Sequence, residues 1–576
     1  MITVKDHSTG HLFDLWDHIS PKRRKLLDTG WPGVFRKYLL EKLPVARIFQ
    51  YFTEDMGRPS KELNTAIGVL ILQQLQDISD DKVTDELAFN IAWHYALDIT
   101  DGSDASMYIS ERTVRKYRQL LIQEGLEGIL FNTLTDALIK EFQVDTSKQR
   151  LDSTHILSNM RNLGRIRIFA VTIKKFLKKL VRTHAEEYVC LQPEFIQRYL
   201  GKDTDSYFSR VKPSEAAKTL DQVSTDLFFL IESFRAYESI CSLPEYKLLE
   251  RVLREQCTVV DTGEDIHVTV KLPKEVSPDS LQNPSDPDAG YDAHKGQGFQ
   301  VQIMETYQTE KQDEKKPNLI THVEVEPAHV HDSHALQPAI DNTILRDCCP
   351  DELLCDTLYG SEDNVQKAQE KGVTVIAPMP GNTPKEGFSL ADFPCDPATQ
   401  YVTHCPEGHD PKKTYRTKKK RLCANFTRET CLTCPRLTDC PIQIGKKAAY
   451  LHYDDAMLRH AQRRAHEKTP EFRHKYRWRS GIEGTNSHLK SDVGTARLRV
   501  RGLPAVCFAA TLKALALNIL RCARALAARL GDVLAQIPRL FRPIPLLHPI
   551  SDGSYPPIQS LFLKFIRLPR KTHSAA

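Results

Sequence analysis

An α/β fold broken by two long insertions is predicted by three observations. Helical and strand-like patterns alternate along the 576 residues, a length that at about 150 residues per domain exceeds one compact unit. Charge is segregated: residues 401–576 carry 33 Lys+Arg against 12 Asp+Glu, a balance of +21, and the rest of the chain then carries 46 against 62, or −16. Six of the 14 cysteines fall between Cys395 and Cys440. The composition is otherwise that of an ordinary globular protein, 41% hydrophobic and 27% charged, which excludes wholesale disorder.

Residues 1–140 read as a helical N-terminal domain. Ala66, Val69, Leu70 and Leu75 recur on one helical face, and Val83, Leu87 and Ile91 recur every four residues after the polar start Ser79-Asp80. A third helix opens at Ser110 and sets Val114, Tyr117 and Leu121 inward, with Arg112, Arg115, Lys116 and Arg118 outward. A basic face on short helices suits DNA binding, and suits an ordinary solvated surface equally.

The run 149–156, rich in β-branched residues, is the first core strand, placed within 145–158. Residues 160–255 return to helix and carry no readable motif. The remaining core strands are assigned to 256–394. There Phe299, Val301 and Ile303 alternate with Gln300 and Gln302, and Val323 and Val325 with Glu324 and Glu326. The apolar runs 353–356 and 373–377 flank a helical segment, the pattern of parallel strands joined by a crossover. A cysteine-rich insertion follows at 395–450, then basic helices at 454–530 and a Pro-rich tail at 531–576. The apolar stretch 503–520 contains Lys513 and Asn518 and falls short of the roughly 20 residues of a clean span. It reads as a buried helix, so no membrane association is expected.

The opening MITVKDHSTG has no apolar run after its charge, so no secretory signal is expected. Clustered cysteines then point to a metal site in a reducing cytoplasm rather than a disulfide framework. The basic rear of the chain suggests a polyanionic partner.

Three acids stand out. Asp152 sits in the strand RLDSTH, Asp356 ends the apolar run ELLCD, and Glu483 lies in the basic segment KYRWRSGIEGTNSHLK. Phosphoryl transfer requires attacking and leaving oxygens to be clamped together, which two Mg²⁺ ions about 3.5–4 Å apart achieve when carboxylates hold them. Around Glu483 the spacing is Tyr476-x2-Arg479-x3-Glu483-x6-Lys490. Offsets of 3, 7 and 14 residues keep all four on one helical face, where cations can grip phosphates beside a metal-binding carboxylate. A surface salt-bridge ladder is the plainer reading. Gly481 and Gly484 weaken such a helix by about 1 kcal/mol each, which suits a site that another backbone or a ligand must approach. Trp478 is placed either to stack on an extruded base or to fill the core. His329, His331 and His334, with Asp332, have a metal-like spacing but are read as a loop.

These segments resemble the DDE transposases of bacterial insertion sequences, in particular the Tyr-Arg-Glu-Lys signature group like insertion sequence 1182. Residues 57–90 look like that group's N-terminal helical domain. LDSTHILSN resembles its first catalytic strand, residues 283–306 the following strand pair, CDTLYGSEDN the second catalytic Asp, and residues 479–503 the catalytic-Glu helix. The resemblance implies an RNase H-like core with Asp152, Asp356 and Glu483 as catalytic, Mg²⁺-binding acids. It implies two ions for which Mn²⁺ can substitute, and DNA contacts from Tyr476, Arg479, Lys490 and Trp478. The partners it implies are the element's terminal inverted repeats and target DNA, held by a homodimer on paired ends in the nucleoid-associated cytoplasm. It also favours Cys405, Cys431, Cys434 and Cys440 as a structural Zn²⁺ set, with His409 and Cys423 as substitutes. The flap 412–421, seven cations in ten residues, would lie against phosphates. A non-catalytic or domesticated DNA-binding protein with a zinc knot is the alternative, against which the three intact acids argue.

Overall fold

The most apolar stretch of the N-terminal region becomes the helix its neighbours pack around. In the computed structural model, which describes residues 2–7, 16–53, 59–261, 263, 266–309, 315–381, 387–417 and 421–540 (side chains to 530), helix α1 (Leu63–Gln76) is buried almost throughout. The Glu62 carboxylate accepts from the Asn64 and Thr65 amides and so caps its exposed donors. Helices α2 (Asp80–Phe89), α3 (Glu111–Gln123) and α4 (Glu127–Phe142) follow it, and shorter helices such as Pro21–Thr29 and Ile91–Ala96 fill out the region. Ser110 caps α3 by accepting from the Thr113 amide, and Val114, Tyr117 and Leu121 turn inward. Of the four cations on α3, Arg115 and Arg118 turn onto Asp80. Arg112 and Lys116 remain exposed.

Strand β1 (Lys148–Leu157) is followed by an insertion with its own core. Phe169, Ile173, Phe176 and Leu180 of α5 (Arg165–Thr183) meet Leu227 and Leu230 of α6 (Pro213–Phe234) and Tyr246 and Leu249 of α7 (Pro244–Gln256). The hairpin β2 (Cys257–Asp261) and β3 (Ile266–Val270) pairs only with itself, and Val268 and Val270 pack on that same helical cluster. This hairpin therefore belongs with the insertion, not with the core strands among which 256–394 is counted on sequence.

The main sheet resumes with β4 (Gly290–Asp292), β5 (Gly296–Thr306) and β6 (Ile320–Pro327). Helix α8 (Leu336–Ile344) leads to β7 (Glu352–Cys355), and α9 (Glu362–Glu370) to β8 (Thr374–Ile376). The order is β4-β5-β1-β7-β8, with β6 also on the outer edge of β5. β5 is antiparallel to β1 and β6 to β5, whereas β7 is parallel to β1 and β8 to β7. The parallel pairs are reached through the helical crossovers that such pairs require. One face of the sheet sends Ile156, Val301 and Ile303 into a core shared with the N-terminal helices. The other sends Leu151, Met304 and Leu353 against Leu336 and Ile340 of α8.

A small antiparallel sheet, β9 (Lys413–Arg416), β10 (Leu422–Phe426), β11 (Gln443–Ile444) and β12 (Ala449–Tyr453), follows in the order β11-β12-β10-β9. Phe393, Val402, Ala424, Phe426 and Tyr453 form its core. Then come α10 (Asp455–Glu467), α11 (Pro470–Tyr476), a 3₁₀ turn at Arg477–Ser480, α12 (Gly481–Ser491) and α13 (Leu503–Leu540). Tyr476, Arg479, Glu483 and Lys490 therefore lie on two helices and the turn between them, not on one continuous helix. The Trp478 carbonyl accepts from Arg150 Nη1 at 2.7 Å, and the Gly481 amide closes back onto Trp478 and Arg479, which tightens the chain there.

Leu503–Leu530 is long and apolar enough to cross a membrane, yet 72% of its most apolar window is buried inside the fold. Two of its buried polar residues find partners there. Asn518 exchanges hydrogen bonds with both backbone groups of Ile320 on β6, each at 2.8 Å. Lys513 reaches Asp77 at 2.8 Å and donates to the Val493 carbonyl. Of the Pro-rich tail, residues 531–540 continue α13 and 541–576 lie outside the described residues.

Candidate active site

Strand register brings the two aspartates together. The β1–β7 pairing ends at Leu151↔Cys355, so Asp152, which stays within β1 paired with Ile303 of β5, stands beside Asp356, the first residue past the end of β7. Asp356 then starts a 3₁₀ turn by accepting from the Thr357 amide at 2.6 Å. Glu483 enters from α12 on the far side of the gap. All three acids meet one guanidinium: Arg479 Nη2 lies 2.9 Å from Asp152 Oδ1 and 3.8 Å from Asp356 Oδ2, and Nη1 lies 3.1 Å from Glu483 Oε1. Asn486 Nδ2 donates to Asp152 Oδ2 at 3.2 Å.

The three carboxylates differ in solvation. The Asp152 side chain is 13% exposed, Asp356 43% and Glu483 66%. Burial holds the Asp152 pKa above its ordinary value, and the Asp356 charge adds to the rise although Arg479 opposes it. Burial, then Asp356, pushes the Tyr476 phenol up to about 12. Arg479 shows the opposite balance: burial favours its neutral form, but Asp152 and Asp356 outweigh this and raise its pKa. The site is a partly dehydrated acidic nest clamped on a cation.

A buried brace sets the position of α12. Glu305, on β5 opposite Arg150, is wholly buried and accepts from Arg150 Nε at 2.8 Å, Arg521 Nη1 at 2.9 Å and Thr485 Oγ1 at 2.6 Å. Burial alone would protonate it, but the two arginines and Thr485 hold its pKa below the usual range. The core sheet, α12 and α13 are thus tied at one carboxylate. Gly481 is where α12 meets this brace: a Cβ there would collide with the Arg150 guanidinium, whereas one on Gly484 would meet nothing within 4 Å.

Oxygen-only donors of three carboxylates suit a hard divalent cation, and the charge Arg479 balances is the charge such a cation would balance. Among the described residues no group of three or more His, Cys, Asp or Glu is drawn tightly enough to hold an ion as it stands, so the guanidinium is what spaces the acids here. Lys490 is exposed on α12. Together with burial and Lys295, its charge lowers the pKa of His155 on β1 to about 4. Trp478 packs against the cluster of Tyr307, Leu354 and Phe472, with the Arg477 guanidinium 4.9 Å from its ring. His331 bonds Ser333 at 2.8 Å.

Cys405, Cys431, Cys434 and Cys440 line one pocket together with His409. Cys423 is buried on β10 near Asn425. Burial and the neighbouring Cys440, Cys405 and Cys434 push the Cys431 thiol up to about 11.

Sequence reasoning missed Arg150, Glu305, Asn486 and Arg521. Asn486 could have been found, being one helical turn from Glu483 on the same face, and Arg150 shares a strand face with Asp152. Glu305 and Arg521 leave no local signal, because their role depends on strand register and on where the last helix docks.

Residues 404–523, which include Arg479, Glu483 and Lys490, match the family described as the transposase DDE domain. Residues 32–120 match a second family, the transposase domain DUF772. The chain is a DDE-type DNA transposase. Asp152 and Asp356 lie outside both matched segments, so their place in this transposase rests on the geometry above. Among curated proteins none matches. A cryo-EM structure of a piggyBac transposase synaptic complex with hairpin DNA aligns with a TM-score of 0.28 at 9% identity, covering 88% of this chain and 78% of that one, a likeness too loose to carry an argument.

Proposed function

We propose that this transposase, of the Tyr-Arg-Glu-Lys group like insertion sequence 1182, cuts DNA at the ends of its own element and joins them to target DNA, using an RNase H-like core. The observation that carries the reading is the convergence of Asp152, Asp356 and Glu483 on Arg479 where β1 runs on past the end of β7. The order β6-β5-β1-β7-β8, antiparallel on one side of β1 and parallel on the other, supports that core.

Two Mg²⁺ or Mn²⁺ ions held by the three acids would supply the charge that clamps the attacking and leaving oxygens of an in-line displacement. In the first reaction a water oxygen bonds to phosphorus, the P–O3′ bond breaks, and the departing 3′ oxygen takes up a proton. In the second, that 3′ hydroxyl gives up its proton and bonds to a target phosphorus, whose own P–O3′ bond breaks. Asn486 holds one oxygen of Asp152 and leaves the other to the site. Arg479, once released from the acids, offers a forked donor to a phosphate oxygen. Lys490, Tyr476 and Trp478 contact the strand beside it, with Arg477 moving aside if a base stacks on the indole. The partners are terminal inverted repeats and target DNA, bound by a homodimer on paired ends in the nucleoid-associated cytoplasm. Cys405, Cys431, Cys434 and Cys440 hold a structural Zn²⁺ that ties the basic flap, since four thiolates suit a tetrahedral site.

The test is strand cleavage of an end-containing duplex in Mg²⁺. Asp356→Asn should abolish both cleavage and joining. Cleavage at the wild-type rate would remove Asp356 from the site.

A further inference from the structure

A second cationic recess lies round the same helix from the carboxylates. At 100° per residue, Glu483, Asn486 and Lys490 share one face of α12, and Gly481, Gly484 and His488 fall on another. That second face walls an open recess of about 400 Å³. Arg150, Lys316, Arg521 and Arg524 also line it, four permanent cations, and among the described residues no acidic side chain lines it.

Two described acids beside it are already committed. Glu305 lies wholly buried between Arg150, Arg521 and Thr485. Asp492 pairs with His488 at 2.8 Å and stands 3.6 Å from Arg524. Arg150 and Arg521 are therefore fixed in direction by the brace, and Lys316 and Arg524 form the exposed rim.

Gly484 supplies a separate observation. A glycine inside a helix costs about 1 kcal/mol relative to alanine, yet no neighbour occupies the space its missing Cβ leaves. Gly481 is needed by the Arg150 guanidinium, but among the described residues nothing stands where a Gly484 Cβ would go. A bare backbone facing a ring of cations admits a bulky anion close to the helix.

We propose that this recess is a phosphate subsite that takes a backbone phosphate of a DNA strand passing on the side of α12 opposite the catalytic acids. The choice of DNA as the source of the phosphate rests on the cleavage reading above. A strand held there and another held at Arg479 would grip the catalytic helix from two sides.

The experiment measures duplex binding by the full-length chain through a salt titration, for wild type, Lys316→Glu/Arg524→Glu and Gly484→Glu, with Gly484→Ala as the folding control. The charge variants should bind about tenfold more weakly at moderate salt. Their log K against log salt slope should shrink by about 1, the loss of one phosphate contact. Gly484→Ala should melt no lower than wild type, which separates loss of a ligand from loss of fold. Unchanged affinity and slope in both charge variants, with wild-type cleavage intact, would overturn the subsite and leave the cleavage reading standing. Absent wild-type cleavage, with the expected binding losses in the variants, would do the reverse. Inorganic phosphate against chloride at matched ionic strength separates the two sources: if phosphate stabilises wild type and the charge variants keep full DNA affinity, the recess takes free phosphate and the DNA assignment falls.

Discussion

The Arg479 guanidinium stands 2.9 Å from the Asp152 carboxylate and also reaches Glu483 and Asp356, so one side chain occupies oxygens that a divalent cation would have to bind. Arginine and metal then compete. Arg479→Gln should bind Mn²⁺ at least about fivefold more tightly, a difference of roughly 1 kcal/mol, while cutting DNA more slowly because a phosphate contact is lost. Mn²⁺ electron paramagnetic resonance titration measures the first effect, and equal affinity in both proteins would sink the competition.

Glu305 tests the brace. Glu305→Gln leaves Arg150 and Arg521 buried with only a neutral partner, and breaking one side of a buried ion pair costs about 3–5 kcal/mol. Urea denaturation should show a loss of that order, together with slowed cleavage as α12 loosens. A loss under 1 kcal/mol, within the range of an exposed pair, would mean the brace is ornamental.

The two glycines of α12 should respond in opposite directions. Gly481→Ala drives a methyl into the Arg150 guanidinium and should destabilise by about 1–3 kcal/mol, the cost of overpacking. Gly484→Ala should be neutral or stabilising by up to about 1 kcal/mol. Matched thermal melts decide it, and equal shifts in one direction would contradict the packing described.

A pH dependence follows from His7, which stands 3.7 Å from Asp98 and 3.9 Å from Glu62. Burial opposes its charge, but Asp98 and Glu62 raise its pKa from 6.5 to about 9. A raised folded value means that the stabilisation is complete below pH 6.5 and fades as pH rises through 9. His7→Gln should therefore cost about 2–3 kcal/mol near pH 6 and much less above pH 9. Glu62 runs the other way: burial opposes its ionisation, yet His7 and the capped amides lower its pKa from 4.5 to about 2. Its share is present above pH 4.5 and disappears as pH falls through 2. A His7→Gln penalty that does not change with pH would show that charge is not the cause.

The cysteine pocket predicts one bound zinc per chain. Cys431→Ser/Cys434→Ser should lose it, and chelation should lower the melting temperature of wild type but not of the variant. Zinc-free protein with an unchanged melt would leave the four thiols as packing alone.

Local pattern made much of this structure legible. The Phe299–Ile303 alternation on β5, the β7–α9–β8 crossover and the Ser110 start of α3 each follow from neighbours within a few residues, and the three acids were visible because their surroundings were unusual. What escaped the sequence depended on distant pairing. The brace needs the Arg150↔Glu305 register and the docking of Arg521. The 3₁₀ break before Gly481 depends on a carbonyl taken by Arg150, which no helical wheel includes. The β2–β3 hairpin looks like core strand in isolation and is assigned otherwise only by what it packs on.

Asp152 and Arg479 are 327 residues apart in the chain, and β1 waits through the whole insertion before β5 is made. During synthesis, the first aspartate therefore emerges long before any partner it will act with. Until α12 has left the ribosome and α13 has docked through Asn518 and Lys513, the polypeptide holds no assembled site. Prematurely terminated chains that end before α12 would lack Glu483 and also Leu512, Leu515 and Ile519, which share one core with the N-terminal helices, so they would lose part of that core together with the site.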